Sequence, residues 1–317
     1  MYTKSSIMFL YTETSMHIGS GTSLSVIDLP IQREKYTNFP NGASSGVKGA
    51  VREWFENFGK EENGNRKPED KEKIISVFGP EEDGSDHSGA VSFTDLRLLL
   101  FPVRSMKGVF AYVTCPFVLS RLKRELLLRG NSVDWTIELP DEDHVFTNSQ
   151  DIGSGTENSD LIINEKKVVL EEFGFKAFPN ANLNKISNWL SNNAIHNSIE
   201  YDFWNKKIKR SLVIISDNNF KDFTEHSTEI QARIKLGAGK SSDTKKGGNL
   251  FYEENVPSDS LFFSLVLTSN SHSPVPPEGV ETDQNILDYV KQLNANRLQI
   301  GGDETIGKGI VNIKFLS

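Results

Sequence analysis

The amino-acid sequence predicts an α+β protein in which helices pack on one face of a mostly antiparallel sheet. Short strand-like runs alternate with segments of helical periodicity along the chain. No βαβ unit recurs, and this disfavours a parallel α/β sheet. The sequence also lacks an internal repeat or heptad pattern, so any repetition would come from several copies of the chain.

Eight runs rich in aliphatic and aromatic residues are predicted to be strands. The longest apolar runs, such as Ser260–Leu267, have strand length and are much shorter than the roughly 20 residues of a membrane helix. We therefore expect no transmembrane segment and no signal peptide. The predicted strands are Ile7–Glu13, Phe110–Thr114, Trp135–Leu139, Lys167–Phe173, Leu212–Ser216, Thr228–Leu236, Leu261–Thr268 and Ile310–Leu316.

The clearest helix is predicted from about Ser45 to Phe58. Val47 and Val51 begin an apolar stripe at helical spacing, and Ser44 or Ser45 is the residue type that caps a helix N-terminus. Three further helices are predicted, over Pro116–Gly130, Asn182–Asn193 and Asn285–Asn296.

The composition is that of a soluble globular protein with one large domain or two small ones. The chain has 317 residues, of which 37% are hydrophobic and 25% charged. Its one cysteine, Cys115, excludes a disulfide framework, indicates a reducing cytoplasm and has the apolar neighbours of a buried structural thiol. Polar stretches rich in Gly, Ser and Pro are predicted to be loops at Gly59–Lys73, Glu81–Gly89, Gln150–Ser159, Gly237–Gly248 and Asn270–Thr282.

The net charge of −8 is unevenly distributed. The stretch Asn131–Glu165 holds nine acidic side chains and no Lys or Arg, whereas Ala232–Asn249 carries +4. Because the local potential governs a contact surface, a nucleic-acid partner remains compatible with the acidic total.

The basic stretch lies in a predicted hairpin. Its cations, among them Arg233, Lys235, Lys245 and Lys246, fit a nucleic-acid-binding arm about as well as a plain hairpin tip. The acids Glu253 and Glu254 near its end are equally compatible with solvated strand ends.

The first fifty residues combine glycine turns, a helix start and a lone aspartate, Asp28. Glycine permits φ > 0 and close approach of another chain, and Ser with the N–H groups of a starting helix can hold phosphate. This combination suits an extended nucleic acid with one carboxylate beside it. The residues predicted to grip its backbone are Gly19, Ser20, Gly21, Ser44, Ser45, Lys48, Gly49 and Arg52. From chemistry alone, however, a loop aspartate such as Asp28 is more often a solvated turn residue.

Several other catalytic centres are disfavoured. The segment Gly302–Gly309 imitates a phosphate-binding P-loop, but Gly309 stands where Ser or Thr is needed and a strand-like run follows. A glycine loop that lets two backbones approach closely is the better interpretation. The six histidines have no metal-ligand spacing, and no nucleophile-elbow motif is present.

The sequence resembles the RAMP superfamily of CRISPR RNA-binding proteins. The His17–Gly21 turn, the Ser44–Arg52 helix start and the closing glycine loop carry this resemblance. The runs Phe93–Ser105 and Gly108–Pro116 look like the repeated backbone subunit of the type III-B (Cmr) effector complex. The similarity continues to Phe315 and so covers most of the chain.

The resemblance implies a modified ferredoxin-like (RRM-like) core with an antiparallel sheet, as a single RAMP domain over residues 1–317. Insertions would form loops at about 59–90 and 140–165, and a thumb hairpin would protrude at about 230–250. Copies of the chain would stack as a helical filament on CRISPR RNA, with other subunits of the complex and no membrane. The bound complementary target RNA would be cleaved at regular intervals.

The resemblance also implies site residues. In this family a loop aspartate is required for cleavage with a divalent metal, and Asp28 occupies its place. The metal, Mg²⁺ or Mn²⁺, would be held by Asp28 with RNA phosphate oxygens and water, while the RNA supplies its own 2′-OH as nucleophile. His17 is a candidate proton donor or acceptor, and Glu253 or Glu254 is a candidate to complete the site. The implied RNA contacts extend to Arg233, Lys235, Lys245, Lys246, Gly307 and Lys308.

Two rival functions remain open at this point. One is a backbone protein of the same fold that binds guide RNA without cutting, in which Asp28 is an ordinary loop residue. The other is a stand-alone ribonuclease that processes precursor guide RNA as a monomer.

Overall fold

The computed structural model describes residues 2–57, 67–80, 86–148, 159–235 and 249–316. The strands in these parts are β1 (Lys4–Thr12), β2 (Asn41–Gly42), β3 (Val91–Phe93), β4 (Leu96–Arg104), β5 (Phe110–Thr114), β6 (His144–Thr147), β7 (Lys167–Leu170), β8 (Phe173–Pro179), β9 (Leu212–Ile214), β10 (Glu229–Lys235), β11 (Asn249–Asn255), β12 (Leu261–Thr268), β13 (Arg297–Gln299) and β14 (Ile310–Phe315). The helices are α1 (Ser44–Asn57), α2 (Pro68–Phe78), α3 (Pro116–Leu128), α4 (Ala181–Asn193), α5 (Asp202–Ser211), α6 (Asp217–His226) and α7 (Asp283–Val290).

One large sheet organises the molecule. Its strand order is β13–β14–β1–β12–β4–β5–β9–β6–β8–β7, with β2 paired to β4 and β3 paired to β12. Apart from the parallel pairs β5–β9 and β6–β8, neighbouring strands are antiparallel. The prediction of a mixed α+β protein with a mostly antiparallel sheet is therefore confirmed.

The centre of the sheet is buried on both faces. In β1 the residues Ile7–Tyr11 are each at most 3% exposed, although successive side chains of a strand point to opposite faces. On one of these faces the ring of Phe9 packs edge-on against Trp189 of α4, with centroids 6.2 Å apart. Both faces of β1 are therefore covered by the protein, whereas the sequence predicts helices on one face. The unbroken apolar run of β1 is typical of a strand covered on both sides.

Two strand predictions are corrected. Trp135–Leu139 is not a strand; the ring of Trp135 is buried near Trp189, and the pairing strand of this region is β6. The predicted strand Lys167–Phe173 is two strands, because the chain turns between β7 and β8 at Glu171, whose φ is 49°.

Helix α2 lies partly within a stretch predicted to be a loop. Pro68 occupies its first turn, Glu69 and Asp70 follow there, and Ile74 and Val77 are buried. Proline and acidic residues suit a helix start, since the first N–H groups lack partners and the helix dipole is positive there. The high charge of the stretch hid these signals.

Strands β10 and β11 form a separate two-stranded sheet. They pair antiparallel from Glu229 opposite Asn255 to Lys235 opposite Asn249. The tip of this hairpin, including Lys245 and Lys246, lies outside the described residues. This antiparallel pairing agrees with the hairpin predicted for the basic stretch.

Cys115 lies at the start of α3 and is fully buried. Burial raises the pKa of its thiol well above the ordinary value, and the nearby Asp217 carboxylate adds to the shift. A neutral buried thiol is a poor nucleophile, as the sequence predicts. In the part of the chain that the structure describes, no helix is both long and apolar enough to cross a membrane.

Candidate nucleic-acid interface

Asp28 is fixed to the middle of strand β11 in the β10–β11 hairpin. Its Oδ2 accepts a hydrogen bond from the backbone N–H of Tyr252 at 2.8 Å. The next residue, Leu29, continues this attachment: its N–H donates to Tyr252 O at 3.0 Å, and Glu254 N–H donates to Leu29 O at 3.0 Å. Asp28 is half-buried, and among the described residues its Oδ1 has no hydrogen-bond partner. One oxygen therefore positions the carboxylate and the other is available for chemistry.

A cleft of about 410 Å³ lies beside this attachment. Leu29 borders it, together with polar side chains from three separate parts of the chain: His17, Arg233 and Asp303. The cleft thus brings the N-terminal turn, the hairpin and the closing glycine loop together next to Asp28.

His17 is held by backbone contacts. Its Nδ1 lies 2.7 Å from Glu254 O, and because a carbonyl oxygen only accepts, Nδ1 is the donor. The Cβ of any residue replacing Gly19 would lie 2.7 Å from His17 Nε2, and one replacing Gly301 would lie 2.3 Å from His17 O. Gly302 N–H donates to His17 O at 2.8 Å. The prediction that the glycine loop permits close backbone approach is confirmed.

Arg233 carries the positive charge of the cleft. Its Nη1 contacts Asp303 Oδ2 at 2.5 Å and also binds the buried carboxylate of Glu253. Burial alone would raise the pKa of Asp303, but the hydrogen bond from Arg233 and the Arg233 charge bring it below the usual value. Glu253 is almost wholly buried, and its contact with Arg233 favours a positioning role over the catalytic role considered for it.

Glu254 belongs to a buried ion pair. Its Oε1 contacts Arg33 Nη2 at 2.5 Å and accepts from Thr228 Oγ1 at 2.9 Å, while Oε2 accepts from Ile31 N–H at 3.0 Å. Both carboxylate oxygens are engaged, and the side chain is only 3% exposed. The geometry therefore favours a structural role for Glu254 over the catalytic role considered for it.

A groove of about 300 Å³ joins the other predicted backbone contacts. Gly19, Ser45 and the Gly301–Gly302 turn all line it. Ser20 and Gly21 are exposed just before the Asp28 loop. The three glycine-rich or serine-rich segments singled out in the sequence thus meet at one surface.

The start of α1 differs from the predicted cap. Ala43 precedes the helix, and Ser44 and Ser45 are its first residues. The N–H of Ala43 donates to Gln32 Oε1 at 2.9 Å and that of Ser44 to Asp95 Oδ1 at 2.8 Å. The prediction that Ser44 or Ser45 caps the helix is wrong, and two of the N–H groups expected to hold phosphate are already bound.

The two predicted cations on α1, Lys48 and Arg52, differ in their surroundings. Lys48 is half-buried, and burial, followed by the neighbouring Arg52 charge, lowers its pKa. Arg52 pairs with Glu56 at 2.6 Å and donates to Gly79 O at 3.0 Å, which links α1 to the end of α2. These contacts favour a structural role for Arg52.

The remaining predicted contacts lie at the closing loop, on α1 and in the hairpin. Lys308 is buried with its Nζ 2.6 Å from Ser15 Oγ, so its charge points into the protein. Gly307 is exposed at φ 79°, and Gly49 is exposed on α1. Lys235 ends β10.

Few side chains near Asp28 in the described residues could serve as metal ligands. Within the described residues no group of three or more His, Cys, Asp or Glu side chains is arranged to hold a metal. Asp28 Oδ1 fits a cation that keeps its water shell and takes phosphate oxygens as further ligands, which is the habit of Mg²⁺. A cage built from protein ligands alone does not fit.

Comparison with known proteins shows to which family the chain belongs. A model of the RAMP superfamily matches residues 9–312. The chain belongs to the RAMP superfamily. Among characterised RAMP relatives, it is 38% identical over 315 residues to the CRISPR system Cmr endoribonuclease Cmr4 of Pyrococcus furiosus, covering 98% of this chain and 95% of that protein. It is also 30% identical to the CMR subunit Cmr4 of Saccharolobus solfataricus, covering 100% of this chain and 98% of that subunit.

Solved RAMP structures agree with the fold. The crystal structure of oligomeric Cmr4 from Pyrococcus furiosus superposes with a TM-score of 0.69 at 32% identity, covering 99% of this chain and 98% of that one. A subunit of the type III-B Cmr-beta complex bound to cognate target RNA has the same TM-score at 23% identity, over 99% of this chain and 98% of that one, and supports the fold alone.

Proposed function

We propose that this RAMP protein is the repeated backbone subunit of a type III-B CRISPR effector complex and that it cleaves target RNA paired to the guide. The observation that carries the proposal is the 38% identity, over nearly the full length of both chains, to a Cmr endoribonuclease. The partners would be CRISPR RNA, complementary target RNA, further copies of the chain and other subunits, inside the cell.

The fold proposal is a single domain with a ferredoxin-like core. The adjacent strands β14–β1–β12–β4 support it, because the chain joins them as β1–α1–β4 and β12–α7–β14. RNA-binding proteins of the RRM type use a four-stranded sheet of this kind. The isolated β10–β11 sheet is the proposed thumb, which would separate guide and target strands.

The proposed cutting group is Asp28. RNA carries its own nucleophile: a 2′-oxygen attacks the adjacent phosphorus, and the 5′-oxygen of the next nucleotide departs. The protein therefore has to align these atoms and neutralise the charge that develops on the phosphate. Asp28 Oδ1 is available while Oδ2 is tied to Tyr252 N–H. A divalent cation bound there with phosphate oxygens and water would neutralise the developing charge. His17 borders the adjoining cleft and is the candidate proton donor to the departing oxygen.

One observation favours the alternative of a backbone protein that binds without cutting. The hydrogen bond from Tyr252 N–H to Asp28 gives this carboxylate a structural use in attaching its loop to the hairpin. Both functions predict guide binding, and only the first predicts cleavage.

Chelation tests the proposed metal. We expect EDTA to stop target cleavage by the assembled complex, and added Mg²⁺ or Mn²⁺ to restore it, because one carboxylate and the RNA cannot neutralise the scissile phosphate alone. Gel-shift assays should show that target binding persists in EDTA when ionic strength is held constant. Undiminished cleavage in EDTA would mean that Oδ1 acts as a proton acceptor and that the metal proposal is wrong.

Lys48 tests the guide surface. Lys48→Ala should weaken guide binding and make its dependence on salt less steep by about 0.7 in the log–log slope, since each lost phosphate contact on a single strand releases fewer counterions. Lys206→Ala is the matched control, because this exposed lysine pairs with Asp202 on α5. An equal slope for Lys48→Ala and wild type would remove Lys48 from the RNA surface.

A further inference from the structure

A second cleft, of about 830 Å³, lies between α3, the start of β4 and the segment after the Asp28 loop. Five cationic side chains line it: Arg33, Lys35, Arg97, Arg121 and Arg124. Of the runs that carry the family resemblance, only Phe93–Ser105 reaches this cleft, through Asp95 and Arg97. In a chain of net charge −8, such a concentration of cations calls for an explanation.

The guanidinium groups are held in place by the surrounding protein. Arg121 makes two hydrogen bonds to the Glu34 carboxylate, at 2.7 and 2.8 Å, and lies over the Phe117 ring at 4.4 Å. These hydrogen bonds outweigh the effect of burial and raise the pKa of Arg121, so its charge is permanent. Arg121 thus forms a fixed floor for the cleft.

Two arginines of the cleft share one carboxylate as their counter-ion. Arg97 and Arg124 share a single oxygen, Glu125 Oε1, at 2.7 and 3.1 Å. Arg97 and Glu125 are mostly buried, whereas the side chain of Arg124 is 62% exposed. Lys35 is also exposed beside the cleft. Arg124 and Lys35 therefore present positive charge to a ligand.

An aromatic ring stands at the rim. Tyr36 is 76% exposed, its hydroxyl accepts a hydrogen bond from Arg121, and the Arg121 guanidinium lies 5.6 Å from the ring centroid. A fixed, exposed aromatic ring beside cations is the combination with which proteins bind single-stranded RNA, since bases stack on the ring and phosphates meet the charges.

The cleft adjoins the groove at the start of α1. Asn41 and Arg97 pair across β2 and β4 and line the cleft, and the next pair, Gly42 and Leu96, lines the groove. Asp95 borders the cleft while binding Ser44 N–H. An RNA strand that leaves the groove and passes the short β2–β4 pairing therefore enters the cleft.

We propose that this cleft is a second binding site for single-stranded guide RNA. Arg124 and Lys35 contact successive phosphates, and Tyr36 stacks on a base. The site supplies the positive charge that the start of α1 lacks once Gln32 and Asp95 have taken its N–H groups. This inference rests on the proposed function, because it extends the same guide path.

The test compares two exposed arginines in the assembled complex. Arg124→Ala and Lys35→Ala should each reduce the salt-dependence slope of guide binding by about 0.7. Arg104→Ala is the control, since Arg104 is 66% exposed and pairs with Glu171 and Glu172 outside the cleft. Loss of Arg124 leaves Glu125 paired with Arg97, so the variant keeps its fold. Slopes equal to that of Arg104→Ala would overturn the proposal.

Tyr36 provides a second readout. Tyr36→Ala should weaken guide binding about five-fold or more, whereas Tyr36→Phe retains the ring and should bind nearly as wild type. Ultraviolet crosslinking of the wild-type complex should place guide RNA on Tyr36. Reduced self-association of RNA-free Arg124→Ala in sedimentation, with an unchanged salt slope, would assign the cleft to a neighbouring copy instead. These binding measurements do not depend on cleavage, so a failure of the cutting proposal remains distinguishable.

Discussion

Replacing Asp28 with alanine should lower the rate of target-RNA cleavage by at least about 100-fold, the lower end of what a positioned acid, base or charge-neutralising group contributes. The structural reason is that Asp28 directly precedes Leu29, which borders the cleft containing His17 and Arg233, and that its Oδ1 has no hydrogen-bond partner among the described residues. The measurement is single-turnover cleavage of labelled target by the fully assembled complex. Guide and target binding should be unchanged, since the other proposed contacts lie on α1 and in the basic cleft.

Two control variants sharpen this experiment. Asp28→Asn keeps an oxygen for the Tyr252 N–H but loses the negative charge, so it should preserve the loop and still fail to cleave. Asp141→Ala removes an exposed aspartate from the acidic stretch and should cleave normally. An assembled Asp28→Ala complex that cuts at the wild-type rate would leave the non-cutting backbone function as the better account of this residue.

The second large effect is on stability. Glu254→Ala should lower the free energy of unfolding by about 3–5 kcal/mol, because removing one partner of a buried ion pair leaves the other charge uncompensated. The orphaned group is Arg33, and Ile31 N–H and Thr228 Oγ1 lose an acceptor as well. Urea denaturation followed by circular dichroism measures the change. Glu172→Ala, which removes an exposed partner of Arg104, should change stability by less than about 0.5 kcal/mol.

The same variants separate two roles for Glu254. If Glu254→Ala unfolds at the wild-type urea midpoint yet fails to cleave RNA, the structural role derived from its contacts is wrong. Arg33→Ala should match it in stability, because both substitutions break one pair.

The sequence predicts the elements whose patterns are local. Strand β12 and helix α1 lie where apolar runs or helical spacing indicate them, and β14 follows the glycine loop as expected. Strand β4 has buried residues at both odd-numbered and even-numbered positions. Its sequence therefore lacks the alternation of apolar and polar residues that is typical of a half-exposed strand. Helices α5 and α6 are predominantly polar and gave no strong apolar stripe.

The site was predictable where a glycine indicates a close approach, as at Gly19 and Gly309. It was not predictable where two distant side chains meet. Arg33 and Glu254 are 221 residues apart in the chain, and Arg233 and Asp303 are 70 apart. Only the tertiary fold decides that both oxygens of Glu254 are bound, whereas Oδ1 of Asp28 has no hydrogen-bond partner among the described residues. The basic cleft was missed for the same reason, since its cations come from three segments without a shared motif.

The attachment of Asp28 to strand β11 has a consequence for where the RNA is cut. The hydrogen bonds of Asp28 and Leu29 to Tyr252 tie the cutting loop to the strand that separates guide from target in the proposed complex. Any displacement of the hairpin then moves the carboxylate with it, so the distance between the two stays constant. In the proposed complex, the cut would therefore fall at a constant offset from the hairpin, whatever bases the target contains.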